Sequence, residues 1–404
     1  MKFDEFGFDL RLTEGIQAIG YINATPIQEQ TIPIILSGKD LIGSAQTGTG
    51  KTAAFLLPVI NNIITAEHSN FIKALVILPT RELAVQIDQQ MEGFSYYTPV
   101  SSIAVYGGTD GASFSREKQS LIDGTDVVIC TPGRMIAHLN QEYVDFSHLQ
   151  YLILDEADRM LDMGFYEDIM QIISYIPKTR QNIMFAATMP KLIRELARKI
   201  LVNPLEINIA ISKPAEKILQ IAYVVFDNQK IPMVKQFLHT KKLRSVLIFC
   251  STKSNTKQLS RELKQEKLNV AEIHSDIEQT SREQVLLDFK NRKINILVAT
   301  DILSRGIDVE DIDLVINFDV PNDGEDYIHR IGRTARAESD GVAITFVNQK
   351  EQHKFGEIEK LLEQEVHKGV VPIQFGEAPA YEPSKFIANP RNNRFKRTNS
   401  SKKK

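Results

Sequence analysis

Residues 40–57 read DLIGSAQTGTGKTAAFLL. The apolar run up to Ser44 predicts a strand, Gly48 and Gly50 predict a tight loop, and the apolar stretch from Ala53 predicts a helix. Glycines let backbone N–H groups turn inward around an anion at a helix start, Lys51 matches the charge of terminal phosphates, and the Thr52 hydroxyl suits Mg2+. The pattern G-x-x-x-x-G-K-[ST] is met with one departure, since Ala45 stands where the first glycine is usual. The candidate phosphate cradle is therefore Ala45, Gln46, Thr47, Gly48, Thr49, Gly50, Lys51 and Thr52.

Working outward from this strand, short β-branched apolar runs alternate with segments of helical periodicity, the pattern of parallel strands joined by crossover helices. The fold class is α/β. Strands are expected at 40–44, 74–78, 102–106, 126–130, 151–154 and 182–186, and again at 223–226, 245–250, 270–274, 294–299, 314–318 and 342–347. Two sets of about six imply two similar, mostly parallel sheets flanked by helices. Two prolines and no sustained helical pattern before residue 218 place a linker at 206–217, between a first domain at 1–205 and a second at 218–369. Residues 370–404 are expected to be an unstructured basic tail.

Two further clusters bear chemistry. The apolar run 151–154 ends in Asp155, Glu156, Ala157 and Asp158, which places acids at a sheet's carboxyl edge, where open α/β folds keep their ligand crevice. Asp155 suits a Mg2+ held partly through water, and Glu156 suits orientation and deprotonation of an attacking water. Residues 327–336, YIHRIGRTAR, concentrate arginines that a second domain can present to a phosphate in transfer.

The chain has 404 residues, 43% of them hydrophobic and 25% charged, which excludes a peptide hormone, a coiled-coil rod or a lone binding module. The net charge of −3 hides an asymmetry: residues 384–404 carry eight Lys and Arg and no acid, leaving −11 for the rest. Such a tail attracts a polyanion. Cys130 and Cys250 lie far apart and form no disulfide framework or metal-site pattern, and the start at Met1, Lys2, Phe3, Asp4 and Glu5 lacks the features of a signal peptide. A cytoplasmic protein without a membrane span is expected.

Over residues 1–370 the sequence resembles the DEAD-box ATP-dependent RNA helicases, and more loosely their compact bacterial RhlE-like group. The ordered matches are Gly20, Tyr21, Ala24, Thr25, Pro26, Ile27 and Gln28 with Phe3 upstream; the phosphate loop; Pro79, Thr80, Arg81, Glu82 and Leu83; Gly107 and Gly108; and Thr131, Pro132, Gly133 and Arg134. The name-giving Asp155 to Asp158 follow, then Leu247 to Cys250, His274, Asp276, Gln279 and Arg282, Ala299, Thr300, Asp301, Arg305, Gly306, Ile307 and Asp308, and finally the arginine cluster.

The resemblance implies two RecA-like domains and an RNA-stimulated ATPase that opens short duplexes locally, with ATP between the domains and Mg2+ as its ion. It further implies that Gln28 reads adenine with Phe3 or Tyr21 against the ring and Thr25 beside it, and that Asp308 contacts the ribose. Arg333 and Arg336 complete the ATP site, while Asp158, Thr188 and His329 couple it to closure. Pro79 to Arg81, Gly107, Gly108, Thr131 to Arg134, His274, Asp276, Gln279, Arg282, Thr300, Arg305 and Gly306 line an RNA surface that reads backbone and 2′-hydroxyls, not bases. A monomer is implied, acting on RNA such as ribosomal precursors or alongside RNA-turnover machinery, with a part in cold growth. Four positions depart from the family pattern: Ala186 for a serine, Ser275 for a glycine, Ser304 for an alanine and Ala335 for a glycine. Ala186 bears on unwinding, which keeps an ATP-dependent RNA clamp with weak unwinding as an alternative, beside a DNA helicase of the same superfamily.

Overall fold

The computed structural model describes residues 1–45, 49–66, 70–108, 111–209, 218–240, 243–300, 312–322, 324–334 and 341–384. These divide into two compact units, one carrying residues 1–209 and the other most of the residues from 218 onward.

In the first unit lie β1 (Leu41–Ser44), β2 (Ala74–Ile77), β3 (Ser102–Val105), β4 (Val127–Cys130), β5 (Tyr151–Leu154), β6 (Gln181–Ala186) and β7 (Leu205–Asn208). All pairings are parallel, in the order β3-β4-β2-β5-β6-β1-β7. Strands β2, β4, β5 and β6 are buried at every position, so their apolar runs are nearly continuous and not alternating. Side chains still alternate between faces: Tyr151 and Ile153 join one core cluster, Leu152 and Leu154 the other.

The second unit holds β8 (Ile218–Val224), β9 (Val246–Cys250), β10 (Val270–Ile273), β11 (Ile296–Thr300), β12 (Leu314–Asn317), β13 (Gly341–Val347) and β14 (His367–Lys368), in the order β10-β11-β9-β12-β13-β8-β14. Shifted by seven, this is the order of the first sheet. The expectation of two similar parallel sheets holds, and each gains a strand.

The added strands are the edges. Strand β7 takes residues 206–208 out of the expected linker, and β14 has two residues. An edge strand pairs on one side and is poorly covered, so it carries no apolar run to announce it; Leu205 is 40% exposed. The expected strand at 223–226 is corrected to Ile218–Val224, which is buried at only three of its seven positions and so carries no continuous buried run. The unstructured tail expected from residue 370 is also corrected. Gln229 Nε2 donates to the carbonyls of Phe375 and Glu377 at 2.8 and 2.9 Å, and Gln352 bonds the backbone of Ala380 and Glu382, so residues through 382 are bound to the second unit. Residues 385–404 lie outside the described residues.

The amino ends of β2, β3 and β4 are tied by a buried ion pair. Lys73 Nζ meets Asp126 Oδ1 at 2.8 Å, and the other Asp126 oxygen accepts from Ser101 N and Oγ, both at 3.0 Å. Both charges are largely removed from water, so each depends on its partner. Lys73→Met leaves the carboxylate uncompensated and is expected to cost about 3–5 kcal/mol in chemical denaturation. A cost under about 1 kcal/mol contradicts this account of the sheet's base.

Candidate functional site

The order β5-β6-β1 brings three strand ends side by side, each with a polar loop. After β1, Gly50 takes the left-handed conformation at φ 90° and caps the helix Lys51–Thr65. A Cβ there would come within 2.4 Å of Gln28 Nε2, so glycine is required by conformation and by packing alike. Lys51 is buried in the first turn and its Nζ donates to the Ala45 carbonyl at 2.9 Å; half-buried Thr52 follows it. Gln46, Thr47 and Gly48 lie outside the described residues.

Gln28 belongs to a capping box at the start of the helix Pro26–Leu36. Its Oε1 accepts from Thr25 N at 2.8 Å, its Nε2 donates to the Gly50 carbonyl at 3.0 Å, and Thr25 Oγ1 donates to the Thr49 carbonyl at 2.7 Å. The adenine-reading candidates thus hold the phosphate loop directly. Of the two aromatic candidates, Phe3 is a core residue at 3% exposure, its ring 5.7 Å from that of Tyr21. Tyr21 is half-buried, so it keeps some surface for a stacking partner.

After β5, Asp155 is buried, and burial raises its carboxyl above the ordinary range, opposed by the Lys51 charge. One of its oxygens accepts from Glu156 N at 2.9 Å. Glu156 sits in the left-handed region at φ 49°, a conformation that costs a non-glycine residue about 1 kcal/mol or more. Asp158 then ties this loop to the one after β6: its Oδ2 accepts from Ala187 N at 3.2 Å, Thr188 N at 2.9 Å and Thr188 Oγ1 at 3.1 Å. Ser44, paired across the sheet with Ala186, donates from Oγ to the Ala187 carbonyl at 3.3 Å.

The neighbouring order β3-β4-β2 gathers a second set of strand ends. Beyond β2, Pro79 is buried and Thr80 caps the helix Arg81–Ser95, its Oγ1 accepting from Leu83 N at 3.3 Å. Beyond β3 come Gly107 and Gly108. Gly108 has φ +84°, and a Cβ on it would lie 1.8 Å from Arg81 Nη1, so the bare backbone is what lets the guanidinium lie there. Beyond β4, Thr131, Pro132 and Gly133 lead into the helix Pro132–Leu139, and half-buried Arg134 follows. Burial first, with the Arg134 charge among the further contributors, holds Arg81 below the usual guanidinium range, which puts the two arginines within reach of each other's fields.

His274 and Asp276 follow β10, and within the segment Ser275–Lys290, which groups with the first unit, Gln279 opens the helix Gln279–Lys290, whose Arg282 Nη2 donates to the Ser275 carbonyl at 3.0 Å. Thr300 ends β11 next door, its buried Oγ1 without a hydrogen-bond partner among the described residues. The arginine cluster separates by role. Arg330 is fully buried, donating to Asn317 Oδ1 at 3.2 Å and the Asp319 carbonyl at 3.3 Å with Phe249 5.0 Å away; it is a core residue. His329 is buried beside it, and Arg333 is half-buried on the short turn Gly332–Thr334. Arg305, Gly306, Asp308 and Arg336 lie outside the described residues.

Sequence reading missed Glu117 and His138, which pair with each other at 2.8 Å, Glu117 also holding Arg134. Neither belongs to a motif. The available signal was that His138 lies one helical turn after Arg134.

Residues 25–196 match the DEAD/DEAH box helicase family and residues 229–338 the helicase conserved C-terminal domain. The chain is 41% identical over 382 residues to the ATP-dependent RNA helicase CshA of Listeria monocytogenes, covering 94% of this chain and 71% of that protein. It is 38% identical over 372 residues to the DEAD-box ATP-dependent RNA helicase RhpA of Helicobacter pylori, covering 92% and 74%. Among solved structures, S. cerevisiae Dbp5 bound to RNA and ADP BeF3 matches with a TM-score of 0.82 at 29% identity, over 91% of this chain and 95% of that one. Mss116p bound to ssRNA and AMP-PNP matches with a TM-score of 0.82 at 28% identity, over 92% and 80%. Phosphate-loop lysine, strand-end acids and paired α/β units therefore have one explanation: the chain belongs to the DEAD-box ATP-dependent RNA helicases.

Proposed function

We propose that the chain is an RNA-stimulated ATPase that opens short RNA duplexes locally, without base preference, in the cytoplasm. The observation that carries this reading is the adjacency of the β5-β6-β1 ends, with Lys51, Asp155, Glu156 and Thr188, to the β3-β4-β2 ends, with Arg81, Gly108, Thr131 and Arg134. One sheet edge carries both halves of the task.

Lys51 and the N–H groups at the start of its helix suit the phosphates of ATP. Gln28 exchanges its bonds to Thr25 and Gly50 for the adenine edge, so base recognition and loop position change together. Thr52 and Asp155 fit Mg2+: a buried carboxyl raised by burial is relieved by a cation, and this ion commonly takes one or two protein ligands with phosphates and water. Bound there, ATP and Mg2+ supply the scissile phosphoanhydride and neutralise its oxygens. Glu156 takes a proton from the attacking water as the γ-phosphate is released, and Arg333 and Arg336 offset the charge that develops. Asp308 holds the ribose. Asp158, Thr188 and His329 transmit the state of the ATP site, and binding of ATP and RNA to one closed conformation couples their affinities. His274, Asp276, Gln279, Arg282, Thr300, Arg305 and Gly306 extend the RNA surface, which grips phosphates and 2′-hydroxyls.

Ala186 favours a second reading, an RNA clamp that hydrolyses ATP with weak unwinding. Single-stranded RNA is expected to raise ATP turnover, and strand displacement on a short duplex separates helicase from clamp. Equal turnover with and without RNA removes the coupling that both share. Glu156→Gln is expected to lower turnover by roughly 10²- to 10⁴-fold while ATP still binds; more than about a tenth of the activity remaining would falsify its role as base. Gly108→Val displaces Arg81 and is expected to raise the KM for RNA about tenfold, the equivalent of one charge-assisted hydrogen bond. An unaltered KM removes Arg81 from the RNA surface.

A further inference from the structure

Helix Gly111–Asp123 and helix Pro132–Leu139 meet in a polar knot that no motif predicted. Glu117, 3% exposed, accepts through Oε2 from Arg134 Nε at 2.7 Å and from His138 Nε2 at 2.8 Å. His138 has no exposed surface, and its Nδ1 faces the Tyr143 hydroxyl. With Nε2 on the Glu117 carboxylate and Nδ1 on the phenol, both ring nitrogens of His138 are engaged. The imidazole stacks on Phe114 at 4.2 Å and 11°, and the same Phe114 ring carries the Arg134 guanidinium at 4.5 Å.

A buried carboxylate is costly unless it is paired, and packing two helices does not require one. What this one does is anchor Arg134 by its Nε and hold the guanidinium over an aromatic ring. We propose that Glu117 and His138 are positioning residues for RNA binding: Glu117 fixes the Arg134 guanidinium, and His138, clamped by Tyr143 and Phe114, fixes Glu117. The rotamer freedom a loose arginine gives up on capturing a phosphate is then already lost in the free protein. Glu117 touches no RNA and acts through Arg134 alone. This rests on the reading that Arg134 lies on the RNA surface.

The test is a double-mutant cycle in the full chain, with Glu117→Gln, Arg134→Gln and the pair, reading KM and kcat for single-stranded RNA in ATPase titrations. Each single variant is expected to raise the KM for RNA about tenfold, more than it lowers kcat, and the pair to raise it no further than Arg134→Gln alone. Effects that multiply in the pair, or a KM within about twofold for Glu117→Gln beside a raised KM for Arg134→Gln, overturn the positioning role and leave the RNA surface intact. An unaltered KM in Arg134→Gln removes that surface and this inference together. If Glu117→Gln does not fold, Tyr143→Phe, which loosens His138 without touching either charge, must raise the KM by about twofold or more, and no change overturns the proposal.

Discussion

The pairing of β1 with β6, in the register that sets Ser44 opposite Ala186, is the constraint on which the site depends. With β5 on the far side of β6, three loops that are distant in sequence emerge within neighbouring strand spacings of roughly 5 Å. Asp158 then reaches the backbone of Ala187 and Thr188, and Ser44 reaches the Ala187 carbonyl. A slip of one residue in any of these strands turns every side chain to the opposite face. The chemistry is therefore no more secure than the sheet's register.

The second sheet repeats the strand order of the first, and the repeat assigns equivalent places. Strands β10 and β11 occupy the positions of β3 and β4, so His274 and Asp276 emerge where Gly107 and Gly108 do, and Thr300 where the chain enters Thr131. The candidate RNA segments that follow the two sheets thus come from corresponding strand ends. The phosphate loop after β1 has no such echo after β8, where the chain continues into the helix Asp227–Thr240 without glycines. One topology carries the candidate phosphate-loop edge in the first unit and no such loop in the second.

Arginines show how little a letter says without its surroundings. Arg81 lies across a glycine, Arg134 is pinned to a buried glutamate, and Arg330 is wholly internal, holding Asn317 and the Asp319 carbonyl. In sequence Arg330 stands three residues before Arg333 with nothing to mark it as core. Burial separates them, and burial is a property of the folded chain.

The sequence by itself determined the α/β class, the two sheets, the phosphate loop and the strand-end acids. Each is written locally: a loop around phosphates demands glycines, a lysine and a hydroxyl at fixed spacing, and a strand buried on both faces demands a continuous apolar run. Tertiary structure alone decided the edge strands β7 and β14, the packed segment through residue 382, the hold of Gln28 on Gly50 and the Glu117–His138 support beneath Arg134. Edges need no apolar run, and a hydrogen bond between residues 22 or 21 positions apart leaves no periodic trace, because it depends on where two separate elements come to rest.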